Sequence, residues 1–162
     1  MNNKKLSIYG IGPLYGIIVI VLTVFGIYSS FNFFSSGVVS NSFLIVCFVI
    51  FGFMFMILGL VLWSLAVFGK DSIDSYVSKG KLCTSGIYGI VRNPCYSGVM
   101  FLFSGVILLF HNVYLLFLPI LFYIILSFML KFTEEKWLRS LFGDSYVSYC
   151  NRVNRIIPFR RK

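Results

Sequence analysis

The chain has 162 residues, of which 59% are hydrophobic, 19% aromatic and only 12% charged. Soluble domains carry roughly 25% charged residues, so this composition excludes an ordinary soluble domain and is typical of a multi-pass membrane protein. The net charge of +9 requires no nucleic-acid partner, because the basic residues flank apolar segments in the pattern of a membrane orientation signal.

Four apolar segments are candidate membrane spans, at residues 12–34, 43–69, 94–110 and 113–130. A bilayer requires about 20 apolar residues, which the first two exceed. The last two are shorter and are separated by His111-Asn112, which predicts a tight helical hairpin; one long helix through these two residues is the alternative. The predicted fold is all-α, a transmembrane bundle of about four spans in one domain covering residues 1–162.

The charged residues predict the orientation of this bundle. All Lys, Arg, Asp and Glu residues lie before the first span, between the second and third, or after the fourth, and segments 35–42 and 111–112 carry none. Positive charge marks the cytosolic side, so both termini are predicted to be cytosolic. The basic residues then lie next to anionic lipid headgroups, which are expected partners.

The sequence gives no indication of a metal site. The four cysteines include no C-x-x-C pair, and His111 is the only histidine. Cys83, Cys95 and Cys150 fall on the predicted cytosolic side, where thiols stay reduced. We therefore expect neither a bound metal nor a disulfide framework.

Local signals mark a helix start and a helix contact. Asn93-Pro94 is typical of a helix start, because Asn is a favoured N-cap and Pro suits the first turn. The N-terminus of that helix favours an anion at the membrane surface. Gly52 and Gly59, seven residues apart, share a helix face and predict close helix packing.

After the last span, residues 131–142 have the periodicity of an amphipathic helix. On a helical wheel Glu134 lies in the middle of the apolar face, whereas Glu135 lies at its edge, four residues before Arg139. We therefore expect Glu134 to be buried and functional, and Glu135 to form an exposed ion pair with Arg139. Gly143-Asp144 predicts a break before a last short helix.

Two polar segments carry a family resemblance. The first is Thr84-Ser85-Gly86-x-Tyr88-x3-Arg92-Asn93-Pro94-x-Tyr96-x-Gly98, and the second is Glu134-Glu135-x2-Leu138-x3-Phe142-Gly143-x2-Tyr146-x2-Tyr149. Together they resemble the signatures of the isoprenylcysteine carboxyl methyltransferase and phospholipid methyltransferase superfamily. The tail Arg152-Val153-x3-Ile157-Pro158-Phe159 is similar to the carboxyl methyltransferase end.

The resemblance implies a membrane enzyme that uses S-adenosylmethionine, with the cofactor region in residues 82–159. The implied cofactor-binding residues are Tyr88, Arg92, Asn93, Pro94, Tyr96, Gly98, Glu134 and Glu135. The implied catalytic residues are Arg92, Glu134 and Arg152, and the implied substrate-binding residues are Tyr146, Tyr149 and Arg152. Asn93 stands where the family often has His, and Asn can hydrogen-bond but cannot titrate near pH 7.

These residue types suit the cofactor's chemistry. Arg can bind a carboxylate through two parallel hydrogen bonds, and Tyr faces attract a sulfonium. We expect methylation of a lipophilic acceptor at the cytosolic face, with carboxyl O-methylation of a prenylcysteine-like substrate as the first choice. A phospholipid amine or a small thiol is the second; a nicotinamide-dependent sterol-type reductase and a non-enzymatic membrane protein rank below both.

Overall fold

The architecture is all-helical, as the sequence predicts. The structure, a computed structural model, describes residues 10–69 and 82–159. Within these ranges lie five α-helices: α1 (Gly12–Asn32), α2 (Ser42–Phe68), α3 (Pro94–Leu108), α4 (Phe117–Phe132) and α5 (Glu134–Arg152). Short 3-10 turns occupy Ser35–Gly37, Gly86–Gly89 and Val113–Leu116.

In the part of the chain that the structure describes, three helical segments are long and apolar enough to cross a membrane: Gly12–Asn32, Ser42–Phe68 and Val113–Phe132. The fourth predicted span, α3, is apolar but has only 15 residues, which is about 22 Å of helix. The chain is therefore a multi-pass helical bundle with one short member.

The last two spans form the predicted hairpin rather than one long helix. The chain turns between α3 and α4 at His111, whose φ of 37° is rare outside glycine. The Asn112 amide, 1% exposed, donates to Ser30 Oγ at 2.7 Å and to the Phe34 carbonyl at 2.8 Å. This turn is thus held against the end of α1 by buried hydrogen bonds.

Backbone contacts show how the helices alternate in direction. Val39 N–H donates to the His111 carbonyl at 3.0 Å, so the α1–α2 connection and the α3–α4 turn share one end of the bundle. At the other end, Ile11 N–H donates to Glu134 Oε1 at 3.0 Å. The start of α1 therefore lies beside the start of α5, at the end we call the polar end.

Glycines bring α2 and α3 into close contact. A Cβ placed on Gly59 would lie 2.6 Å from the Gly98 carbonyl oxygen, and one on Gly105 would lie 2.5 Å from the Gly52 carbonyl oxygen. Both spacings are seven residues, so the two pairs meet when the helices run antiparallel. The predicted packing role of Gly52 and Gly59 is confirmed, and their partners are two further glycines of α3.

The interior joins α1, α3 and α4, while the outer surface is apolar. Tyr15 of α1 is fully buried, and its hydroxyl donates to the Phe122 carbonyl of α4 at 3.4 Å. Large side chains such as Phe25 and Phe51 are more than half exposed on the outside. An apolar exterior is what a bilayer requires of the helices that it surrounds.

The C-terminal helix differs from the prediction at its start. Helix α4 continues to Phe132, and Thr133 leaves the helical conformation with φ −116° and ψ −86°, so α5 begins at Glu134 rather than at residue 131. The predicted break is present at Gly143, with φ 52° and ψ −128°, a conformation that favours glycine. Tyr146 and Tyr149 follow in the part of α5 beyond this kink.

Candidate functional site

The α3–α4 hairpin brings the two polar segments together at the polar end. Arg92 precedes α3, Glu135 follows α4, and Arg92 Nη2 lies 3.0 Å from Glu135 Oε1. Their side chains are only 8% and 11% exposed. A buried carboxylate and guanidinium stabilise each other's charged forms, whereas either alone would be costly.

A second arginine binds the same carboxylate. Arg155 Nε donates to Glu135 Oε1 at 2.7 Å, and Arg155 Nη2 donates to Glu135 Oε2 at 2.8 Å. Arg155 Nη1 also donates to Ser127 Oγ of α4 at 2.8 Å. The hydrogen bonds that Arg155 donates to Glu135 raise the pKa of Arg155 above its already high usual value. We call Arg92, Glu135 and Arg155 the arginine–glutamate cluster.

Arg92 makes further contacts with the kinked part of α5. Its Nη1 donates to Cys150 Sγ and lies 3.5 Å from the Tyr146 hydroxyl. Its guanidinium carbon is 5.9 Å from the centre of the Tyr146 ring, within the range of a cation–π attraction. Arg92 Nε, however, is buried and has no hydrogen-bond partner among the described residues.

The chain after α5 runs alongside the segment that leads into α3. Arg92 N–H donates to the Asn154 carbonyl at 2.9 Å, and the Ser97 hydroxyl donates to the Ile156 carbonyl at 2.6 Å. Asn93 occupies the N-cap position of α3, but its side chain makes no cap hydrogen bond. It donates instead to the Arg155 carbonyl at 2.9 Å. Asn93 is therefore the N-cap residue, as predicted, but the expected side-chain cap is wrong, because the hydrogen bond from its Nδ2 holds the side chain toward the tail.

Glu134 has different partners from its neighbour. Its Oε1 accepts a 2.5 Å hydrogen bond from the Tyr96 hydroxyl of α3, in addition to the one from Ile11 N–H. A Cβ on Gly10 would lie 2.1 Å from the same oxygen. Glu134 thus joins the starts of α1, α3 and α5.

The helical wheel gave the two glutamates the wrong environments. Glu135 is buried and pairs with Arg92 and Arg155, whereas Glu134 is half-buried and Arg139 is exposed. The prediction assumed that the apolar face of α5 packs inward. Leu138 and Phe142 do pack against the buried cluster around Tyr146, but Leu141 on the same face is 56% exposed. Glu135, at the edge of that face, is buried because it pairs with two arginines.

A cavity of about 310 Å³ opens between the two polar segments. Its lining residues are Thr84, Gly86, Gly89, Ile90, Tyr149, Arg152 and Val153. Two of the three predicted substrate-binding residues, Tyr149 and Arg152, therefore line one cavity, while Tyr146 stacks edge-on against Tyr149 at 6.2 Å. Arg152 is exposed at this surface and is not part of the arginine–glutamate cluster.

The two tyrosines of α5 remain protonated. Burial, together with the nearby Glu135 carboxylate, raises the pKa of Tyr146, and burial raises the pKa of Tyr149. The Tyr149 hydroxyl donates to the carbonyl of buried Tyr88 at 2.6 Å. Tyr88 is thereby fixed at the wall of the site through its backbone.

The remaining predicted cofactor residues lie next to this region. Pro94 is buried at the first turn of α3, and Gly98 is buried one turn further along. A Cβ on Gly98 would lie 2.9 Å from Trp63 N of α2, so Gly98 has a packing function whatever else it contacts. Their roles toward a cofactor stay predictions.

Arg155 is the residue that the sequence analysis missed. It lies 20 residues after Glu135, beyond the kink at Gly143, so no helical spacing connects the two. The available signal was charge: Glu135 lies between basic segments, and a buried carboxylate with two arginine neighbours attracts both. Among the described residues, no group of three or more His, Cys, Asp or Glu side chains could hold a metal ion.

Comparison with known proteins gives one match. A family model described as phospholipid methyltransferase matches residues 42–145, a range that includes α2, α3, α4, Arg92 and both glutamates. No curated protein and no solved structure matches the chain.

Proposed function

Because this chain belongs to the phospholipid methyltransferase family, a family of membrane methyltransferases, we propose that it transfers a methyl group from S-adenosylmethionine to a lipophilic acceptor at the polar end of the bundle. The observation that carries the proposal is the arginine–glutamate cluster, in which both family signatures meet with Arg92 and Glu135 at 3.0 Å.

The residues present fit the cofactor. Two guanidiniums share one carboxylate in the cluster, so a positive charge is left for the carboxylate of an amino acid group. The buried Arg92 Nε has no hydrogen-bond partner among the described residues, so it is also available to donate to that carboxylate. Arg92 would bind that carboxylate, and the Tyr146 and Tyr149 rings would provide aromatic surface for a cation.

When bound, S-adenosylmethionine supplies an electrophilic methyl group on a sulfonium. The protein's task is to orient the acceptor for in-line attack and to exclude water, which is a matter of positioning more than of acid–base chemistry. A carboxylate acceptor needs no proton removed. This suits a site whose glutamates both accept hydrogen bonds and whose only histidine lies at the opposite end of the bundle.

We propose a carboxylate on a prenylcysteine-like lipid as the acceptor. Arg152 supports this choice because it is an exposed cation at the wall of the cavity, beside Tyr149. A carboxylate that approaches the membrane requires such a partner. The methyl ester would form as the acceptor oxygen bonds to the methyl carbon, while the carbon–sulfur bond breaks and sulfur retains its electron pair.

The second candidate is the amine of a phospholipid headgroup. The match to the phospholipid methyltransferase model favours it. An ammonium must first lose a proton, and Glu134, half-buried and close to Tyr96, is the carboxylate that could accept it.

Transfer of a labelled methyl group decides between these acceptors. Purified protein would be given labelled S-adenosylmethionine with a prenylcysteine acid, phosphatidylethanolamine or a small thiol. We expect label in the prenylcysteine acid, and an increase in KM for it in Arg152→Ala but not in Arg139→Ala, which removes an exposed arginine outside the cavity. Label only in phosphatidylethanolamine would replace the carboxylate proposal with the amine, and no label in any lipid would contradict both.

A further inference from the structure

Glu135 divides its two oxygens unequally between two arginines. Arg155 holds both, at 2.7 and 2.8 Å, in the two-pronged geometry that carboxylates favour. Arg92 reaches only one, Oε1, through a single nitrogen at 3.0 Å. Arg92, the more deeply buried arginine, is therefore less fully paired with Glu135 than Arg155 is.

The division affects the charge that Arg92 presents. Two positive charges and one negative charge leave the cluster at +1, and the better-compensated arginine is Arg155. Arg92 also keeps a buried Nε without a partner. Were Arg155 absent, Glu135 could turn both oxygens toward Arg92, and the pair would become neutral.

Arg155 is well placed to prevent that rotation. Arg155 Nη1 donates to Ser127 Oγ at 2.8 Å, and the backbone carbonyl of Arg155 accepts from Asn93 Nδ2 at 2.9 Å. Ser127 thus holds the guanidinium at α4, while Asn93 holds the backbone of Arg155 beside the start of α3. The Arg155 side chain is 28% exposed, so it costs less desolvation than the 8% exposed Arg92.

We propose that Arg155 is a positioning residue that holds Glu135 away from full pairing with Arg92 and so keeps Arg92 available for the cofactor's carboxylate. The inference rests on the proposed function, since it assumes that Arg92 binds that group. It assigns Arg155 no contact with the cofactor and no part in the chemical step.

The test is the affinity for S-adenosylhomocysteine, measured by calorimetry on purified protein in detergent. We expect Arg155→Ala to raise Kd about tenfold or more, which is about 1.4 kcal/mol, and Arg155→Lys to have an intermediate Kd because Lys lacks the planar fork. The decisive variant is Arg155→Ala/Glu135→Gln. It restores the +1 charge around Arg92 and is expected to bind more tightly than Arg155→Ala alone.

A purely structural role for Arg155 predicts the opposite order, because the double variant loses still more of the buried hydrogen bonds. Arg139→Ala, an exposed arginine on α5, serves as the control, and thermal unfolding of each variant verifies folding. Wild-type Kd in Arg155→Ala, or a double variant no better than the single one, overturns the inference while the proposed function stands. Absence of binding by the wild type overturns both.

Discussion

Adjacent residues at the polar end have separate structural tasks. Glu134 accepts hydrogen bonds from Tyr96 and Ile11, and a neutral amide oxygen could accept the same bonds. Glu135 neutralises two arginines, which no neutral side chain can do. A helix turns 100° per residue, so two adjacent side chains point in different directions and meet different partners.

We expect Glu135→Gln to destabilise the protein more than Glu134→Gln. Removing one member of a buried ion pair costs about 3–5 kcal/mol, whereas Gln at position 134 retains an acceptor oxygen. Thermal unfolding in detergent should therefore show a clearly larger decrease in Tm for Glu135→Gln. Equal decreases, or a larger one for Glu134→Gln, would show that the carboxylate of Glu135 is not the main counter-charge.

The site was predictable from the sequence only in part. The placement of Arg92 and the two glutamates at one end followed from the hairpin, because a short turn returns the chain to the same end. The burial of Glu134 and Glu135 was predicted wrongly, because a helical wheel weighs only apolar neighbours and takes no account of the two arginines that pair with Glu135. A carboxylate at the edge of an apolar face can be buried when cationic partners surround it, so amphipathicity alone does not identify it.

Glycines allow two of the helices to pack closely. Helices α2 and α3 approach most closely where Gly52 meets Gly105 and Gly59 meets Gly98. Small residues at such contacts allow backbones to pack together in the absence of a hydrophobic driving force between helices. Arg92 lies just before α3 and Tyr96 lies in its first turn, so this contact also sets the geometry of the site.

We expect Gly59→Ala and Gly105→Ala to lower Tm, because each new methyl group would lie within 2.6 Å of α3 or α2 backbone atoms. Gly16→Ala is the matched control: it lies in α1, and its Cβ would meet nothing within 4 Å. Thermal unfolding in detergent measures the three variants. A Tm loss in Gly16→Ala as large as in the other two would argue against close α2–α3 packing as the cause.

The helices were predicted well as elements and less well at their ends. Long apolar runs identify α1 and α2 within two residues, and Gly143 marks the kink by its conformation. The start of α5 was missed by three residues because Lys131 and Phe132 continue α4 in regular helix. Periodicity does not reveal a single non-helical residue such as Thr133 when the sequence on both sides of it favours a helix.

At the scale of the whole molecule, one end is polar and the other carries little charge. Arg92, both glutamates and Arg155 lie at the polar end, whereas the opposite end is joined by neutral hydrogen bonds of Asn112. The basic residues within 1–9, 70–81 and 160–162 lie outside the described residues. The side of the membrane that each end faces stays a prediction, drawn from the distribution of Lys and Arg.

Labelling of single cysteines tests this orientation. In a background without the four native cysteines, Ser36→Cys and Tyr114→Cys lie at the opposite end and Ser148→Cys lies at the polar end, all at exposed positions. We expect a membrane-impermeant reagent added to intact cells to label the first two and not the third. Labelling of Ser148→Cys alone would show that the orientation is the reverse of the predicted one.

Arg92, in the arginine–glutamate cluster, is the residue that we propose binds S-adenosylmethionine. The most direct measurement is equilibrium binding of S-adenosylmethionine to purified wild type, Arg92→Gln and Arg139→Gln in detergent, with folding verified by thermal unfolding. We predict saturable binding by the wild type, an unchanged Kd in Arg139→Gln and at least about a tenfold weaker Kd in Arg92→Gln, equal to a loss of about 1.4 kcal/mol. Wild-type affinity in folded Arg92→Gln, or no binding by the wild type, would contradict the claim.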